Sequence, residues 1–173
     1  MSRADTDELL DVLDANDRVV GTAGRGEIHR RGLCHRSVHV FLTDGQGRIY
    51  LQRRSWAKKE HPGRWDSSAS GHVGTGESYG HAAARELGEE LGIEAAPEPL
   101  LKVPASSETG WEHSMLYVVR GPAAGQVIVP DPEEIIEGRF FTEAEALELI
   151  RKAPDTVSPA FCLLFEAWRR QGR

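Results

Sequence analysis

Three glutamates on one helical stripe constrain this chain more than any other feature. Residues 78–91 place Ala83, Leu87 and Leu91 on one side of a helix that Gly92 ends. Glu86, Glu89 and Glu90 stand at i, i+3 and i+4, so their carboxylates share another side. Like charges at this spacing cost a few tenths of a kcal/mol per pair, and the C-terminal half of a helix is the wrong end for anions. Gly88, in mid-helix, costs about 1 kcal/mol more relative to alanine. Helix energetics therefore does not account for the stripe. A hard divalent cation does: Mg²⁺ takes oxygen ligands and keeps some waters for a phosphate substrate. An acidic stripe alone is ordinarily a solvated face, so the neighbouring residues decide.

Upstream, Gly71, Gly74 and Gly76 read as a loop whose backbone can approach metal or phosphate, with Glu77 at the mouth of the helix. Arg85 adjoins the acidic cluster and can pin a carboxylate through its planar fork. Gly71, Glu77, Arg85, Glu86, Leu87, Glu89, Glu90, Gly92 and Ile93 together match every constrained position of the Nudix box, G-x5-E-x7-R-E-U-x-E-E-x-G-U with U aliphatic. The segment thus resembles that of Nudix hydrolases. The resemblance implies an α/β fold, a Nudix α/β/α sandwich with a mixed sheet, the box (residues 71–93) forming a loop–helix–loop. It also implies that Glu86, Glu89 and Glu90, with the Gly71 carbonyl, form a Mg²⁺ or Mn²⁺ site, and that Glu77 and Arg85 hold the loop in shape.

Such a site cleaves a phosphoanhydride bond in an X–diphosphate through metal-activated water. Glu86, or a glutamate from a later loop, would take the water's proton; Glu133, Glu134 and Glu137 are the candidates, against a plain solvated face. The catalytic set is therefore Glu86, Glu89, Glu90 and Arg85. A non-catalytic nucleotide-binding module is the contrasting class, and it usually goes with erosion of the box glutamates, none of which is eroded.

The flanks narrow the resemblance. Arg53-Arg54-Ser55, Lys58-Lys59, Pro62-Gly63, Trp65 and Ser70-Gly71-His72 are similar to the branch that includes type-1 isopentenyl-diphosphate isomerase. The similarity implies that Arg54 and Lys58 grip the diphosphate, the contrasting reading being a solvated basic loop. It breaks at two chemical positions. The isomerase has Cys where this chain has Ser70, a far poorer acid or base, and the second carboxylate of its Glu-x-Glu is lost in Glu112-His113-Ser114. An isomerase-like enzyme is therefore the alternative and a hydrolase the leading reading. His29, His35 and His72 are counterparts of the histidine ligands of the isomerase's metal, and with Glu112 they would make a second metal site in this chain. Here they read either as that site, retained or repurposed, or as polar pocket histidines, the second being favoured. His39 reads as structural or substrate-facing, and His81 as solvated.

The rest of the chain sets bounds. Its 173 residues fit one domain, 1–173, and no stretch approaches the ~20 apolar residues that span a bilayer. Residues 1–11 lack a signal-peptide profile, and Cys34 and Cys162 read as reduced thiols, so the expected location is cytoplasmic. A net charge of −6 argues against a nucleic-acid polymer as partner, leaving a small-molecule diphosphate, with a homodimer open. Trp56, Trp65, Trp111 and Tyr79 could stack a base, line a pocket or fill the core. Strands are expected over 9–13, 19–20, 37–43, 49–53, 100–103, 111–119 and 135–141, with 37–43 and 49–53 as a hairpin and 53–66 as loop. Besides the acidic helix, a short helical turn is expected at 26–30, a Thr142-capped helix to Ile150 and a last helix from Pro159 to Arg170.

Overall fold

The computed structural model describes residues 8–121 and 126–171; residues 1–7 of the polar N-terminal stretch lie outside it. Strands β1 (Leu9–Leu13) and β2 (Val19–Gly24) pair as an antiparallel ribbon. The ribbon runs directly into α1 (Arg25–Arg31), which Gly32 ends in the left-handed conformation. Arg36, Tyr79 and Lys102 all bond the Asp17 carboxylate, which pins the turn of the ribbon to the body of the protein.

The next two strands, β3 (His35–Thr43) and β4 (Ile49–Arg54), meet across the expected Asp44 turn but do not form the expected hairpin ladder. Their register holds a single pair, Thr43 with Ile49, and then they splay. On one edge β3 takes β8 (Glu112–Arg120) in parallel, and on the other β6 (Ala69–His72) antiparallel. β4 takes β9 (Ile135–Phe141) and the short β5 (Trp65–Asp66). Ser68 sits in the split and bonds both strands: its N–H donates to Val40 O, and its hydroxyl accepts from Leu42 N at 2.7 Å and donates to Tyr50 O at 2.5 Å. Backbone groups that a hairpin would have paired are thus satisfied by one side chain. Two further expectations are corrected by the same splay. Residues 53–66 are not wholly loop, since they begin in β4 and end in β5; and Gly71 stands in a strand, because the freed edge of β3 needs a partner.

With β7 (Glu98–Val103) the main sheet is mixed, in the order β5-β4-β3-β8-β7, and it is covered on both faces. On one face α2 (Tyr79–Leu91) packs Ala82, Ala83, Leu87 and Leu91 on Val38, Val40 and Leu42. On the other, α3 (Glu143–Lys152) and α4 (Pro159–Arg170) bring Ala146, Phe161, Leu164 and Phe165 to Phe41, Ile49, Leu51 and Leu116. Each fully buried Leu or Phe contributes about 1.5–3 kcal/mol, so the two cores hold the splayed strands in place. The result is the expected α/β/α layering. Thr142 and Glu145 form the capping box read from sequence.

Candidate active site

The acidic stripe lands on one wall of a cleft of about 960 Å³. Ser78 caps α2 by accepting from His81 N, and Gly92 ends the helix at φ 65°. The register that buries Leu87 and Leu91 turns Glu86 and Glu90 inward and leaves Glu89 more exposed. Arg85 organises the entrance: it bonds both oxygens of Glu77 at 2.9 and 3.0 Å, the His72 carbonyl at 3.1 Å and Glu86 at 2.7 Å. Glu77 in turn accepts from Gly74 N at 2.9 Å. Arg85 and Glu77 therefore tie the loop to the helix, as the box resemblance implies.

Burial pushes the Glu86 carboxyl up to about 7, against the pull of the Arg85 guanidinium. Burial, then the nearby Glu86 charge, pushes Glu90 well above the usual carboxylate range. Gln52 donates to Glu90 Oε2 at 2.5 Å. Gly71 pairs with Val38 in β6, and a Cβ there would fall 2.1 Å from Glu86 Oε1, so only glycine lets that carboxylate lie on the strand. Crowded carboxylates with raised proton affinity, pressed on a bare backbone, are an all-oxygen donor set suited to Mg²⁺ or Mn²⁺.

Facing this wall, Arg54 and Lys58 line the same cleft. Arg54 donates to the Glu60 carbonyl at 3.1 Å and lies 3.5 Å from Asp66, while Lys58 pairs with Glu134. Of the three later glutamates, Glu133 and Glu134 line the cleft; Glu137 sits on β9, 3.4 Å from Arg53, and does not. A cationic pair opposite carboxylates is where diphosphate oxygens can bind.

A second cluster adjoins the same cleft. His29, His35 and His72 each offer a ring nitrogen within 4.8 Å of the others, drawn together from α1, β3 and β6. Glu112 Oε1 lies 3.6 Å from both His35 Nε2 and His72 Nε2. The Nδ1–H of His35 faces Leu33 O at 2.9 Å, which leaves its Nε2 for the cluster. The Nε2 atoms of His29 and His35 are buried without a hydrogen-bond partner. Against burial, which alone would lower it, the Glu112 and Glu8 carboxylates raise His72 to about 9. Despite burial, His35 and His72 hold Glu112 well below the usual range. Three imidazoles and a carboxylate with two orphaned nitrogens fit a transition-metal ion, and a protonated His72 supplies positive charge in its place.

The remaining sequence candidates separate cleanly. Trp65 is core; Trp56 covers Gly63, Trp111 covers Gly32, and Tyr79 packs beside Arg36. None of the four lines the cleft. His81 is exposed and bonds Glu77, and Ser70 lines the cleft with its N–H 3.4 Å from Glu90. Gln52, Asp66, Glu8, Arg25 and Glu60 were not singled out from sequence. Gln52 had a signal: it is a neutral polar residue on a strand otherwise apolar up to Arg53, at the parity of Tyr50, which faces α2.

A model of the NUDIX domain matches residues 34–161. An uncharacterized Nudix hydrolase of Streptomyces coelicolor, SCO1686, is 42% identical over 144 residues, covering 80% of this chain and 77% of that one. An isopentenyl-diphosphate Delta-isomerase of Streptomyces griseus is 38% identical over 156 residues, 84% of this chain and 77% of that one. Among solved structures, DR0079 from Deinococcus radiodurans superposes with a TM-score of 0.80 at 29% identity, over 96% of this chain and 100% of that one. With the domain model spanning most of its length and such relatives over about four fifths of it, this chain belongs to the Nudix family.

Proposed function

We propose that this protein is a divalent-metal-dependent pyrophosphohydrolase that cleaves an organic X–diphosphate, nucleoside diphosphates and their derivatives among them. The observation that carries the reading is the pair Glu86 and Glu90, buried together and raised in proton affinity beside Gly71, which has no room for a side chain. A cation at Glu86, Glu89, Glu90 and the Gly71 carbonyl supplies charge neutralisation on the diphosphate oxygens and acidifies a water when bound. Arg54 and Lys58 hold the diphosphate in line. Gln52 orients the Glu90 carboxylate, and Arg85 fixes Glu86 against its strand. Glu134 is the favoured base among the later glutamates: it lines the cleft, and its tie to Lys58 is exchanged when phosphate takes the lysine.

The isomerase alternative needs a proton donor and acceptor that Ser70 and Ser114 do not provide. Ser114 bonds the Ser37 hydroxyl at 2.9 Å instead. The His29, His35, His72 and Glu112 set is a second metal site in this reading, supported by its two orphaned nitrogens. The partner is the small-molecule diphosphate, with neither nucleic-acid polymer nor membrane. The test is phosphate or monophosphate release from a panel of diphosphates with Mg²⁺ or Mn²⁺; no chelator-sensitive turnover on any of them ends the proposal.

A further inference from the structure

The loop at 55–64, between β4 and β5, stands on the residue that would grip the diphosphate. Arg54 forms its neck: the Arg54 N–H donates to Arg64 O at 2.8 Å, and the Arg54 carbonyl accepts from Gly63 N at 3.0 Å. Trp56 covers Gly63 and closes the loop on itself. From this loop Lys58, Glu60 and His61 reach the cleft. The tie of Lys58 to Glu134 is given up when phosphate takes the lysine. The tie that Glu60 makes is not.

Glu60 acts in two directions. Its backbone carbonyl accepts from Arg54 Nε at 3.1 Å and so steadies the guanidinium at the cleft. Its carboxylate leaves the loop for α1, where Oε2 accepts from Arg25 at 2.7 Å and Oε1 lies 3.9 Å from His29 Nε2. Arg25 and His29 stand four residues apart on that helix and share a face. His29 Nε2 is one of the two buried ring nitrogens without a hydrogen-bond partner. Against burial, which alone would raise it, Arg25 holds the Glu60 carboxyl below its usual range, so the group is charged at neutral pH. One side chain thus joins the arginine of the diphosphate grip to the helix that brings His29 to the histidine cluster.

We propose that Glu60 is a positioning residue that couples the two sites, so that Zn²⁺ on His29, His35 and His72 tightens diphosphate binding at Arg54 and Lys58. This rests on the diphosphate grip and the second metal site of the reading above. Glu60 holds Arg25 in the metal-free protein. With a cation among the imidazoles, the carboxylate has a second positive partner beside the same face of α1. The loop, and the Arg54 side chain that hangs on it, is then better ordered before diphosphate arrives, and less affinity is lost to ordering it. Such coupling is reciprocal: bound diphosphate tightens zinc by the same factor. A cation also attracts diphosphate directly, without Glu60, and the two contributions can be separated.

The test is calorimetric and needs no turnover. Methylenediphosphonate, whose P–C–P bridge is not hydrolysed, is titrated into the wild-type protein in saturating Mg²⁺, with and without one equivalent of Zn²⁺. Zinc is titrated with and without the diphosphonate. The expected result is binding about 10-fold tighter in each direction. Glu60→Gln removes the charge but keeps the carbonyl that holds Arg54. Zinc should still bind that variant, while its effect on the diphosphonate falls to within about twofold; Glu60→Asp should retain part of the effect. Zinc that binds without changing diphosphonate affinity, or an effect undiminished in Glu60→Gln, overturns this inference and leaves the metal site standing. Failure of the wild type to bind zinc or the diphosphonate overturns the inference together with the reading it rests on. The wild-type titrations can refute the coupling even where the variants fail to fold.

Discussion

Gly71→Ala adds one methyl group at the point where the backbone touches the Glu86 carboxylate, a ligand of the proposed cation. The new Cβ would lie 2.1 Å from Glu86 Oε1 and 2.2 Å from its Cδ, whereas real Cβ contacts stay beyond about 3 Å. The carboxylate must therefore retreat by about 1 Å. It cannot do so freely, because Arg85 holds Oε1 at 2.7 Å and is itself held by Glu77 and the His72 carbonyl. A misplacement of this size near the chemistry costs on the order of 100-fold. The expected outcome is a kcat lowered about 100-fold with Mg²⁺, and a half-saturating metal concentration shifted upward. Stability should move little, since replacing a strand glycine regains up to about 1 kcal/mol through the unfolded chain. Rates of phosphate release across a Mg²⁺ titration, beside a thermal melt, make the comparison. A folded variant with wild-type kcat and unchanged metal requirement would refute the reasoning and detach Gly71 and Glu86 from the reaction.

Glu90→Gln should abolish metal-dependent turnover, by about 100-fold or more, while the melt shows the fold retained, since the amide is buried more cheaply than the carboxylate; an unchanged rate removes Glu90 from the site. Gln52→Leu should weaken Mg²⁺ binding about 10-fold, measured by calorimetry, because Glu90 loses the donor that orients it; unaltered affinity rejects that role. For pH, Glu86 is raised to about 7 and Glu90 well above its usual range, so the folded protein holds protons there that the unfolded chain has released. Their effect on metal-free stability is then a decline as pH rises from about 5 through 7, and saturating Mg²⁺ should stabilise the protein more at pH 8 than at pH 6, read as the shift in melting midpoint. Equal shifts at both values contradict the assignment. Gly88→Ala should stabilise by about 1 kcal/mol in the same melt, because a Cβ there meets nothing nearer than the Ile93 carbonyl at 3.9 Å; destabilisation would mean that the helix needs its glycine.

The acidic wall of the cleft was legible in the sequence because it depends on local spacing. Glu86, Glu89 and Glu90 are neighbours on any α-helix, and Ser78 and Gly92 cap that helix through bonds within a few residues. The fold family followed from the same segment, and the flanks pointed to Arg54 and Lys58, which line the cleft. What failed was pairing. Nothing in the alternation of 37–43 and 49–54 tells a hairpin from two strands that part after one bridge, since both bury the same faces. The residue that parts them, Ser68, acts on backbone atoms of strands 18 and 26 positions away.

By itself, then, the sequence determined the family, the helix stripe and the kind of cation it suits. The tertiary structure alone decided how the splay of β3 and β4 carries Gln52 to Glu90, which later glutamates face the cleft, and that His29, His35 and His72 converge from three separate elements. The reason is one of range. Helical geometry fixes neighbours through bonds four residues apart, whereas the meeting of distant side chains depends on which strand edges pair, and that is settled by packing of the whole sheet between its two helical layers.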